Sequence, residues 1–127
     1  MTALARGASF EDALDEHLNA ITARDPDRFE ATLAADVVVV DGAGRVTRGI
    51  DAVLRAHDEW FGAAERWSFA YDVVLTRETA SSGFALLDVT YRNTPESEPA
   101  RFLLSLLFER NADGVFSFVY DQNTPLA

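Results

Sequence analysis

Four late runs of the chain, Trp67 to Arg77, Gly83 to Arg92, Arg101 to Arg110 and Val115 to Gln122, are rich in aromatic and branched residues and are parted by turn-formers. That is the pattern of a meandering antiparallel sheet. In the first run Trp67, Phe69, Tyr71, Val73 and Leu75 alternate with Ser68, Ala70, Asp72 and Thr76. Side chains two apart share a strand face, so one face is solidly apolar. The third run is apolar on both faces, with Phe102, Leu104, Leu106 and Phe108 on one and Leu103 and Leu107 on the other. Phe116, Phe118 and Tyr120 continue the pattern into the last run.

The N-terminal half changes period. Ser9 is suited to cap a helix in which Phe10, Leu14, His17, Leu18 and Ile21 share a face; Glu11 and Asp12 place negative charge in its first turn, where the helix dipole favours it. Asp25-Pro26 ends this helix and opens a short second one carrying Phe29 and Leu33. The valine run Val37 to Val40 predicts a buried strand, Asp41-Gly42-Ala43-Gly44 a turn, and Arg45 to Arg48 a short return strand. A third helix follows Gly49, with Ile50, Val53, Leu54, His57 and Phe61 in its stripe. The expectation is one α+β domain over residues 1–127, with residues 1–8 as a flexible N-terminus and 122–127 as a polar tail. The helices cover one sheet face. Nothing in the sequence is left to cover the other, so a homodimer through the sheet is expected.

Composition narrows the function. With 21 acidic against 11 basic residues the net charge is −10. Such a field repels phosphate backbones and anionic lipid, so neither nucleic acid nor a membrane surface is expected as a partner. The absence of cysteine removes disulfides, thiolate metal sites and cysteine nucleophiles. No stretch approaches the about 20 apolar residues of a membrane span, and no secretory leader is visible, so a cytoplasmic protein is expected. No phosphate loop, nucleophile elbow or dinucleotide fingerprint occurs. No cofactor is expected, and the two distant histidines argue against a metal.

The candidates for chemistry are few. Both histidines, His17 and His57, sit in apolar helical stripes, each seven residues after the stripe's first member. Each fits a core histidine satisfied by a neighbour. Each equally fits a group facing a cavity and poised near neutral pH for proton transfer. Asp41, at the end of the valine run, is either a cavity-rim base or the first residue of an Asp-Gly turn. Asp88, between Leu87 and Val89, is either a pocket acid or the cross-strand partner of an arginine. Trp60, Trp67, Tyr71 and Tyr91 offer aromatic surface for an apolar ligand, and Leu106, Val119 and Asp121 are further candidate contacts from the last two strands.

Several segments resemble the nuclear transport factor 2-like superfamily: Ala23-Arg24-Asp25-Pro26-Asp27 with Leu33-Ala34-Ala35-Asp36 and the valine strand, Gly49-Ile50-Asp51-Ala52-Val53, and Asn111 to Thr124. The likeness runs from about Ser9 onward. It implies a cystatin-like cone, a strongly curved mixed or antiparallel sheet packed on three N-terminal helices and enclosing a pocket. Set against the ketosteroid isomerases of that superfamily, His17 falls at the first-helix tyrosine of the oxyanion hole, Asp41 at the proton-shuttling aspartate and His57 at a supporting tyrosine. Leu106 falls at the second, protonated aspartate. The resemblance thus implies a retained base and an altered oxyanion hole, closer to the acid–base pairs of SnoaL-like cyclases than to steroid isomerisation. The function expected is a pocket for a small apolar, oxygenated molecule with cofactor-free acid–base chemistry, of isomerase, cyclase or dehydratase type. In that scheme Asp41 is base, His17 acid and His57 its support. The alternative is a non-catalytic ligand-binding or dimerisation module of the same fold.

Overall fold

The structure, a computed structural model, describes residues 9–126; the N-terminal segment 1–8 lies outside the described residues. Three helices come first with a small hairpin between them: α1 (Phe10–Thr22), α2 (Pro26–Ala31), β1 (Leu33–Val40), β2 (Val46–Arg48) and α3 (Ile50–Phe61). Four long strands follow: β3 (Ser68–Glu78), β4 (Ser82–Arg92), β5 (Ala100–Arg110) and β6 (Phe116–Pro125). They form one six-stranded sheet in the order β2-β1-β6-β5-β4-β3. The neighbours are antiparallel except β1 and β6, which run parallel.

Local chemistry explains the helices. The Ser9 hydroxyl accepts from the Asp12 N–H at the start of α1, and the Asp25 carboxylate does the same for Arg28 at the start of α2. Each satisfies a donor that the first helical turn leaves free. On the sheet, Gly83 allows α1 to dock. A Cβ there would collide with the Phe10 ring, so only glycine lets that helix lie so close.

The core sits between the helices and the inner sheet face. Ala85, Leu87 and Val89 of β4, Leu106 and Phe108 of β5 and Phe118 of β6 are fully buried there, against Leu18, Phe29 and Val53 from the helices. The outer face carries Phe84, Leu86, Leu103, Leu107 and Tyr120, all half-buried.

Simple alternation breaks at several points. The single apolar face expected from Trp67 to Leu75 does not run the length of β3: the register shifts between Val73 and Leu75, Leu75 falls opposite Leu86 of the outer face, and Val73, Val74 and Leu75 are exposed. The residues expected to be a polar tail are strand: β6 continues to Pro125, paired with Phe102 of β5. Polar side chains at Gln122, Asn123 and Thr124 hide this, because the ladder is made by backbone groups that composition does not report. In addition, β6 bulges against β5. Phe118 pairs with Phe108 and Tyr120 with Leu107, which leaves Val119 as an extra residue.

Candidate functional site

That bulge builds the site. Phe116 and Phe118 point into the core, and uninterrupted alternation would send Tyr120 and Gln122 after them. The extra residue reverses the phase, so Asp121 and Asn123 face inward. Tyr120 and Gln122 lie outside, where the Tyr120 hydroxyl donates to Gln122 Oε1 at 2.7 Å. The inward pair lines a cavity of about 300 Å³. Its walls are mainly apolar, with Ile21 of α1, Trp60 of α3, Phe69 of β3, and Phe102 and Leu104 of β5, and the His57 imidazole of α3 among them. Exposed Asp41 and Arg45 mark its mouth, with Thr47 beside them.

Asp121 sits in β6 directly between Val39 of β1 and Leu106 of β5. Its carboxyl makes no hydrogen bond or ion pair among the described residues. It keeps some surface open to the cavity, but protein rings it on every side. A confined hollow solvates a carboxylate less well than bulk water, so burial pushes its pKa up to about 7. Across the cavity, His57 Nδ1 lies 2.8 Å from the Val53 carbonyl. A carbonyl can only accept, so Nδ1 carries the proton and Nε2 of the neutral ring is left as an acceptor. Burial lowers the His57 pKa, against the opposing pull of that backbone hydrogen bond. Near neutrality the proton therefore prefers the carboxyl to the imidazole.

The other histidine is differently placed. His17 is 1% exposed and does not line the cavity. Its ring stacks on Phe118 with centroids 4.1 Å apart and lies 5.2 Å from Phe29. Phe29 stacks in turn on His57 at 4.5 Å. His17 Nδ1 is 2.8 Å from the Thr32 hydroxyl, which itself lies 2.7 Å from the Phe29 carbonyl. Because that carbonyl can only accept, the hydroxyl donates to it and accepts from the imidazole N–H. Burial, helped by His57, lowers the His17 pKa to about 3. The ring is neutral throughout the physiological range.

Comparison with known proteins agrees with this architecture. The SnoaL-like domain model matches residues 14–117. The chain belongs to the SnoaL-like domain family. Among solved structures, a candidate calcium/calmodulin-dependent protein kinase type II association domain from Thiobacillus denitrificans superposes with a TM-score of 0.82 at 25% identity, covering 98% of this chain and all of that one. A ketosteroid isomerase-like protein from Erwinia carotovora atroseptica gives 0.75 at 18% identity, covering 92% and 93%. A candidate dehydratase of the nuclear transport factor 2-like family from Streptomyces avermitilis gives 0.77 at 17%, also covering 92% and 93%. No curated protein matches the chain. The superfamily and the cone-like α+β fold expected from the sequence are both present.

Within this SnoaL-like domain the predicted site residues separate. His57, Asp41, Trp60 and Asp121 line the cavity. Asp41 is engaged in its turn: Oδ1 accepts from the backbone N–H groups of Ala43 and Arg45, both at 2.9 Å. Trp60 is a fixed wall, stacked on buried Trp67 at 4.3 Å and donating Nε1–H to the Tyr91 hydroxyl at 2.9 Å. Trp67 and Tyr91 thus buttress the wall rather than line the cavity. Tyr71 is half-buried beside Phe69. Leu106 is buried across from Asp121, and Val119 is the bulged residue. Asp88 lies on the outer face, away from the cavity, and pairs with Arg101 at 2.6 Å. Arg45 and Thr47 are lining residues that periodicity did not single out. Both belong to the segment just after the Asp41 turn, Arg45 immediately before the three-residue β2 and Thr47 within it. No group of three or more metal-ligating side chains occurs among the described residues, and no helix there is long and apolar enough to cross a membrane.

Proposed function

We propose that the cavity binds a small, largely apolar molecule bearing an oxygen function, and that Asp121 moves its proton. The reaction class is enolisation, cyclisation or dehydration beside a carbonyl, needing no cofactor. One observation carries this reading: Asp121 is a carboxyl without a partner among the described residues, in a largely apolar cavity, with a pKa pushed up to about 7. A proton carrier works best when its pKa matches the working pH, and burial without a compensating partner is how a carboxyl gets there. His57 Nε2 stands ready to accept a hydrogen bond from a substrate hydroxyl. The carboxyl that the isomerase comparison expects at Leu106 is supplied from the next strand, at the residue paired with it.

The test is hydrogen–deuterium exchange at the carbon beside the carbonyl of 2-tetralone, a small bicyclic ketone. The protein should accelerate exchange, and Asp121→Asn should slow it by about 10²–10⁴-fold. Asp41→Asn should leave the rate nearly unchanged, since an amide oxygen can still accept the turn's N–H bonds. An Asp121→Asn variant of full rate rules out the assignment. The burial of His17 in the core favours a second reading, a pocket that binds without catalysis. A protein that binds 2-tetralone yet exchanges none of its protons would establish that one.

We also propose that a second copy covers the outer sheet face. All three helices lie on the inner face, leaving the outer apolar residues half-exposed. On that face Asp88 is paired with Arg101 rather than left as a lone charge. Sedimentation equilibrium at micromolar concentration should show a dimer and, for Leu103→Asp, a monomer. A monomeric wild-type protein contradicts the proposal.

A further inference from the structure

The mouth of the cavity indicates which kind of molecule enters it. Arg45 is the only arginine or lysine among the described residues of the cavity lining. Its guanidinium makes no hydrogen bond or ion pair among the described residues, although acidic residues outnumber basic ones by 21 to 11 in the chain. Its backbone, in contrast, is clamped. The Arg45 N–H donates to Asp41 Oδ1 at 2.9 Å, and the Arg45 carbonyl accepts from the Asp41 N–H at 3.0 Å. Gly44, at φ +84°, supplies the left-handed step that closes this turn. Asp41 spends one carboxylate oxygen on two backbone N–H groups, so it positions the arginine without pairing with it. The result is a planar cation presented from a rigid turn at the rim of an apolar hollow. Beside it on the same lining are the Thr47 hydroxyl and the Asn123 amide. A guanidinium fork matches a carboxylate in shape and charge. At about 300 Å³ the cavity is at the small end for ligand sites, suited to a body of one or two rings.

We infer that the ligand is an amphipathic carboxylate, its ring system held between Trp60, Phe69 and Phe102 and its acid group held at the mouth by Arg45. This deepens the pocket reading above and rests on it. Asp41 is then a positioning residue for Arg45.

Two isosteric probes test the inference, 2-naphthoate and 2-naphthamide, titrated calorimetrically into the full chain. The acid should bind about fivefold or more tightly than the amide. Arg45→Gln should erase that preference while leaving amide affinity unchanged, and Arg45→Lys should restore part of it. A rim substitution on an exposed residue is not expected to disturb folding, which circular dichroism checks. Equal affinities in the wild-type protein, or a preference that survives in Arg45→Gln, overturn the carboxylate inference alone. If neither probe binds, the small-molecule pocket falls, and this inference with it.

Discussion

His17 and His57 hold corresponding positions in the apolar stripes of α1 and α3, and both donate Nδ1–H to an oxygen. One is sealed in a column of rings, while the other is part of a cavity wall. The difference comes from what each helix meets. Helix α1 lies over Phe108 and Phe118, large side chains that close around an imidazole. Past the β6 bulge the inward residues become Asp121 and Asn123, and the wall on the α3 side is left with space in front of it. The same residue in the same local pattern becomes packing in one region and a candidate chemical group in the other. Phe29, stacked on His57 and tilted against His17, is the boundary.

Substitution should separate the two regions sharply. His17→Ala empties a fully buried ring site and removes the donor to Thr32, and should cost about 3 kcal/mol of stability in chemical denaturation. His57→Ala opens onto an existing cavity and should cost about 1 kcal/mol. Similar losses for the two variants would break the contrast.

The pH dependence of stability sharpens the contrast further, with smaller effects. His17 has a folded pKa of about 3 against an ordinary 6.5, so between those values the unfolded chain binds the extra proton. Its contribution is fully present above pH 6.5 and is lost as pH falls toward 3. Asp121 runs the other way, with a folded pKa of about 7 against an ordinary 3.8. The folded state holds the extra proton, so stability is greatest below pH 4 and is lost as pH rises toward 7. In the wild-type protein the two slopes oppose each other from pH 4 to 6.5. Asp121→Asn should unmask acid lability and raise stability at pH 8 by about 1–2 kcal/mol, the cavity's access to water limiting the gain. His17→Phe should unmask the opposite slope, with stability falling as pH rises. Parallel pH profiles for the two variants would show that one of these groups is not buried as described.

Much of the fold was legible because it rests on short-range rules. Ser9 and Asp25 cap helices where their side chains reach the first-turn N–H groups. The alternation of Trp67, Phe69 and Tyr71 marks one sheet face, and the inner residues of β4 and β5 follow theirs without interruption. The site was less legible. The choice between the two roles of Asp88 needed Arg101 from the neighbouring strand. The histidines could not be told apart, because their helical spacing is the same. Asp121 carried only the signal of a polar residue near a strand end.

The sequence by itself determined the order of elements, the apolar faces and the caps, since each is set by neighbours within a few residues. Only the tertiary structure decided which titratable groups face the cavity. That outcome turns on a single unpaired residue, Val119, whose bulge reverses the facing of everything after it in β6. It also turns on the size of the side chains that the strands place opposite each helix. Solvation and pKa follow from that packing, and packing belongs to residues distant in the chain.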